Sequence, residues 1–92
     1  MTYDEQQLHA ELKETLQAYG LRATKPQLRL IEILIDNPII SRRDIFELIP
    51  NILHSNLTAM LDRFEKNGLV MKHWKQGLPY FTAVFKHNNK QQ

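Results

Sequence analysis

Leu8, Leu12, Leu16 and Tyr19 recur at intervals of four, four and three, which lays one narrow apolar stripe along a helix with Glu11, Glu14 and Gln17 facing away. Gly20 follows in the position that commonly ends a helix. After Leu21-Arg22-Ala23, Thr24 can cap a second helix and Pro26 fits its first turn, where the missing N–H costs nothing. This helix runs to about Asp36 and carries Leu28, Leu30, Ile31, Ile33, Leu34 and Ile35, with Lys25, Arg29, Glu32 and Asp36 as a thin polar stripe. A helix apolar over most of its circumference is the central one of its domain.

Asn37-Pro38 ends that helix, and Ile39-Ile40 is expected to be only a stub of extended chain. Ser41-Arg42-Arg43-Asp44 has capping-box spacing, and the short helix behind it should bury Ile45, Leu48 and Ile49 before Pro50 stops it. A fourth helix from about Ser55 aligns Leu57, Leu61 and Phe64 beside Met60 and closes at Asn67-Gly68. The chain then turns β-like: residues 69–75, a turn at Gln76-Gly77-Leu78-Pro79, and residues 80–85 read as a hairpin. Two strands cannot stand alone in water, so the hairpin must lean on the helices. The predicted fold is therefore mainly α with a C-terminal β-hairpin, a winged helix-turn-helix over residues 1–85, with residues 86–92 a polar, frayed tail.

The chain has 92 residues, 42% of them hydrophobic, enough for one core and not two. It has no cysteine, which excludes disulfides, thiolate metal sites and cysteine nucleophiles. No run reaches the roughly 18 apolar residues of a membrane span, and the polar N-terminus does not resemble a signal peptide. A cytoplasmic protein without a membrane partner is the expectation. Charge is unevenly placed: residues 1–20 hold four of the ten carboxylates and one cation, while residues 21–92 hold eleven of the twelve Lys and Arg. A basic body of this kind suits a polyanionic partner.

The segment Tyr19-Gly20-Leu21-Arg22-Ala23-Thr24-Lys25-Pro26-Gln27-Leu28-Arg29-Leu30-Ile31 resembles the ferric uptake regulator family, whose first domain carries Gly-Leu-(Lys/Arg)-x-Thr-x-x-Arg ahead of an apolar helix. Ser41-Arg42-Arg43-Asp44-Ile45-Phe46 is similar to that family's Ser-x-x-(Asp/Glu)-(Leu/Ile)-(Tyr/Phe). Leu61-Asp62-Arg63-Phe64-Glu65-Lys66-Asn67-Gly68-Leu69-Val70 is similar to its Leu-x-x-Leu/Phe-x-x-x-Gly-(Leu/Ile)-Val. The likeness covers residues from about 12 to 85 and implies a winged-helix, DNA-binding transcriptional regulator or repressor. Its functional positions differ. Asn56-Leu57-Thr58-Ala59 stands where the family has Thr-Val-Tyr-Arg, and Gln27 replaces the Arg of Thr-x-x-Arg. His73 matches a frequent family histidine, but the Cys-x-x-Cys pairs and the acidic ligand at the end of the wing have no counterpart.

Candidate chemistry follows from these elements. Arg22 and Lys25 at the second helix, Arg42 and Arg43 at the third, and Lys72 and Lys75 on the wing are placed to hold phosphates of double-stranded DNA. Asn56, Thr58 and Arg63 on the fourth helix can face bases, since Asn suits adenine and Arg suits guanine. That helix carries as many acidic as basic side chains, so a solvated face with intrahelical ion pairs is the competing reading. His9, His54, His73 and His87 lack metal-ligand spacing, so no metal or other cofactor is expected. No phosphate loop, nucleophile elbow or small-molecule catalytic motif is present, so the chain is not expected to be an enzyme. Crowded aromatics at Trp74, Tyr80, Phe81 and Phe85 suit self-association, either as a homodimer or by pairing with a related regulator. The alternative function is a winged helix that has lost base reading and acts as a protein-interaction module.

Overall fold

The computed structural model describes residues 5–85. Their order is α1 (Glu5–Ala18), α2 (Lys25–Asp36), β1 (Ile40–Ser41), α3 (Arg42–Leu48), α4 (His54–Lys66), β2 (Val70–Lys75) and β3 (Leu78–Ala83). The tail over 86–92 lies outside the described residues.

Two helix ends use the same device. Gly20 and Gly68 have φ of +79° and +82°, a conformation that costs a Cβ-bearing residue energy. Around Gly20, Leu21 N–H reaches Leu16 O at 2.9 Å and Gly20 N–H reaches Gln17 O at 3.0 Å. Around Gly68, Leu69 N–H reaches Phe64 O at 2.8 Å and Gly68 N–H reaches Glu65 O at 3.1 Å. Both are Schellman motifs, and each packs a buried pair, Leu16 with Leu21 and Phe64 with Leu69, at the site of chain reversal. The N-termini follow the capping rules too. Thr24 Oγ1 accepts Gln27 N–H at 3.4 Å, and Ser41 Oγ accepts Asp44 N–H at 3.1 Å.

The stub at Ile39-Ile40 does more than expected. Ile40 and Ser41 pair antiparallel with Phe81 and Tyr80, so the sheet has three strands in the order β1-β3-β2 and β3 is central. Buried Ile40 and Phe81 meet across that pair, and Thr82 Oγ1 donates to Pro38 O at 2.8 Å, holding the short strand in register. The hairpin turn is tighter than expected, just Gln76-Gly77 with Lys75 opposite Leu78. Both turn residues have positive φ, 51° and 79°, the mirror-image turn whose twist matches that of paired strands.

One core gathers Leu12 and Leu16 of α1, Leu30, Ile31, Ile33 and Leu34 of α2, Ile45, the Leu57–Phe64 stripe of α4, and Phe81. The expectations for Leu48 and Ile35 need correction: they are 42% and 38% exposed, because α3 and α2 reach the edge of the core there. Glu11, expected to face away, is half-buried on the α1 flank.

Candidate nucleic-acid interface

Leu57, Met60, Leu61 and Phe64 face the core from α4. With about 100° of rotation per residue, the stripe opposite them is Ser55, Ala59, Asp62 and Lys66, all exposed. Asn56 and Arg63 lie on one flank of that stripe, Thr58 and Glu65 on the other. Leu53 supplies no side-chain cap, so the first-turn N–H groups of α4 point outward uncapped.

The first flank forms a groove. Arg22 from the α1–α2 loop, Asn51 and Ile52 from the α3–α4 connection, and Asn56, Ala59 and Arg63 of α4 line a depression of about 610 Å³. Its floor is built by Gln27, which is only 5% exposed and whose Nε2 donates to the Arg22 carbonyl. Gln27 thus fixes the loop that presents Arg22.

The second flank is tied to α3. Arg42 Nη2 donates to Thr58 Oγ1 at 2.8 Å and to the His54 carbonyl at 3.0 Å, while Nη1 donates to His54 Nδ1 at 3.2 Å. A guanidinium only donates, so His54 Nδ1 is the acceptor in this contact. Its ring stacks on Phe46 with centroids 3.8 Å apart and planes within 6°. Arg42, expected to meet phosphate, and Thr58, expected to meet a base, are therefore each other's partners. Residue spacing gave no sign of this, since the two lie on different helices.

The wing docks on the C-terminal half of α4. Lys72 Nζ lies 3.9 Å from Glu65 Oε1 and 5.6 Å from the Trp74 ring centroid, and Lys75 Nζ lies 5.6 Å from the Tyr80 ring. Arg43 is exposed on the first turn of α3. Lys25 is placed apart from α4, in a wider groove of about 1090 Å³ between α1 and α2 that also holds Lys13 and Arg29. There Glu32 collects Arg29 at 3.2 Å and His9 at 3.1 Å. The nine candidate residues thus fall into four places: the Arg22–Asn56–Arg63 groove, the Arg42–Thr58 tie with Arg43 nearby in sequence, the wing lysines, and Lys25 alone.

No protein-family model and no curated protein sequence matches the chain. Solved structures do resemble it. The ferric uptake regulator of Vibrio cholerae, described with its DNA-binding domains, superposes with a TM-score of 0.69 at 24% identity over 83% of this chain and 63% of that one. The ferric uptake regulator of Pseudomonas aeruginosa, solved with manganese, gives 0.68 at 22% identity over 76% and 57%. NadR in complex with 4-hydroxyphenylacetate gives 0.63 at 26% identity over 86% and 56%. The chain thus spans less than two thirds of the length of each. Among the described residues no group of three or more His, Asp or Glu is gathered that could hold a metal ion. No described helix is long and apolar enough to cross a membrane. With four helices, a closing antiparallel hairpin and these structural likenesses, the chain has a winged-helix fold similar to that found in ferric uptake regulators.

Proposed function

We propose that this chain is a DNA-binding transcriptional regulator of the winged-helix type, acting in the cytoplasm on double-stranded DNA. One observation carries the reading: Arg22, Asn56 and Arg63, three side chains from two separate elements, line a single groove beside the exposed face of α4. A cation with an amide and a guanidinium is a donor set suited to a phosphate and two base edges. Arg43, Lys75 and Lys25 extend the positive surface outward, and Arg42 and Lys72 hold α3 and the wing against α4. A two-fold operator would be met by a homodimer or by pairing with a related regulator.

An electrophoretic shift of random-sequence duplex at low and moderate salt tests the reading. Binding should occur at low salt and weaken steeply with added salt. Arg63→Ala should alter the preferred sequence, whereas Lys75→Ala should weaken all duplexes alike. If no duplex shifts at either salt while a protein partner co-purifies, the interaction-module reading takes its place.

A further inference from the structure

The hairpin tip carries a feature that phosphate binding does not use. β2 is buried at Val70, half-buried at Lys72 and His73, and exposed at Met71 and at its tip end, where Trp74 is 65% exposed. Trp74 faces Pro79 across the ladder, and Leu78 beside the turn is also exposed. An indole left this open on a strand has no role in the core. It is nevertheless held: its own strand keeps it two residues from Lys72, whose ammonium sits over the ring, and the two-residue turn leaves the tip little freedom. Residues 70–85 contain no carboxylate at all, and Lys72 and Lys75 flank the indole. The hairpin thus offers an exposed indole among lysines and no acid of its own, with Glu65 of α4 3.9 Å from Lys72 Nζ, and such a tip suits a polyanion with stackable faces.

We propose that Trp74 is a wedge that stacks against a base step of bound duplex DNA, with the wing lysines placing it. The inference rests on the DNA-binding reading above and adds a contact to bases made by the wing rather than by α4. Proteins that engage DNA in this manner insert apolar side chains between base steps, and pyrimidine–purine steps unstack most easily. Pro79, paired with Trp74 across the ladder, has a fixed φ that limits backbone motion at the tip. A stacking contact differs from a phosphate contact in a measurable way. It releases no counterion, so its loss lowers affinity without changing the salt dependence.

Trp74 is the sole tryptophan of the chain, so its emission reports on this one position. The experiment is a titration of the intact protein with a fluorescein-labelled random duplex, reading anisotropy and tryptophan emission together, for wild type, Trp74→Ala and Trp74→Phe. The expected result is indole quenching that tracks the anisotropy rise and a roughly tenfold weaker Kd for Trp74→Ala, in the range of base–aromatic stacking. The slope of log K against log salt should be the same in Trp74→Ala, and Trp74→Phe should recover most of the affinity. An anisotropy rise with unchanged emission, or equal affinity of Trp74→Ala and wild type, overturns the wedge and leaves the DNA-binding reading standing. A slope that flattens in Trp74→Ala also overturns it, because the residue would then be positioning lysines. Absence of any anisotropy rise with wild type overturns both. Circular dichroism of Trp74→Ala should match wild type, since so exposed a side chain contributes little to folding.

Discussion

Gln27, which stands where the resembled family has an arginine, is a polar side chain with a structural role. It sits at the floor of the groove, its amide nitrogen donating to the Arg22 carbonyl, with almost none of its surface in water. Removing the donor strands that carbonyl and opens a void, so Gln27→Ala should lower unfolding stability by about 1–3 kcal/mol. Gln27→Glu should cost more, because it turns a carboxylate toward a carbonyl and buries a charge. Urea denaturation midpoints check both, and the order of the two losses is the decisive reading. The sequence pattern placed Gln27 correctly in the first turn of α2, but the helical period could not show that its side chain folds back on the loop. The same limit applies to Arg42 and Thr58. Their hydrogen bond joins two helices across sixteen positions, a tertiary fact invisible to local spacing.

At the scale of elements, periodicity and caps were nearly sufficient. The stripes Leu8–Tyr19 and Leu57–Phe64, the caps at Thr24 and Ser41 and the glycines at 20 and 68 all mark where helices begin, face and end. What they missed was β1, whose two residues carry too little pattern to be seen and which exists because β3 offers it an open edge. The turn was also read too long. Pro79, which suggested a loop, belongs to β3 at a place beyond the reach of β1, where its missing N–H breaks no ladder on that side. Gln76 pays for this tight turn with a φ of 51° in a side chain that does not favour it. Gln76→Asn should therefore stabilise the protein by about 0.5–1 kcal/mol, because Asn-Gly is the preferred pair for this turn. For a domain of this size that is a rise of roughly 2–8 °C in Tm, measurable by thermal unfolding. A fall in Tm would mean that the Gln76 side chain makes a contact that outweighs its backbone cost.

The whole molecule arranges its cations in two ways, and salt separates them. Six basic side chains meeting phosphate would give log K against log salt a slope of about −5, from roughly −0.9 per contact. Two of the six already have intramolecular partners: Arg42 holds Thr58 and His54, and Lys72 lies against Glu65. If these stay in place on binding, Arg22, Lys25, Arg43 and Lys75 remain, and the slope should be nearer −3.6. Arg22→Ala and Arg43→Ala should then each flatten the slope by about 0.9, and Arg42→Ala or Lys72→Ala by much less. Glu65 is the lever that distinguishes a restrained lysine from a distant one. Glu65→Gln removes a carboxylate from the face of α4 that borders the wing and frees Lys72, so binding should tighten and the slope should steepen by up to about 0.9. Anisotropy titrations of this variant from roughly 50 to 200 mM salt decide the matter. Tighter binding with an unchanged slope would mean that Glu65 acts only by repulsion, whereas no change in either would place the wing away from the phosphate backbone.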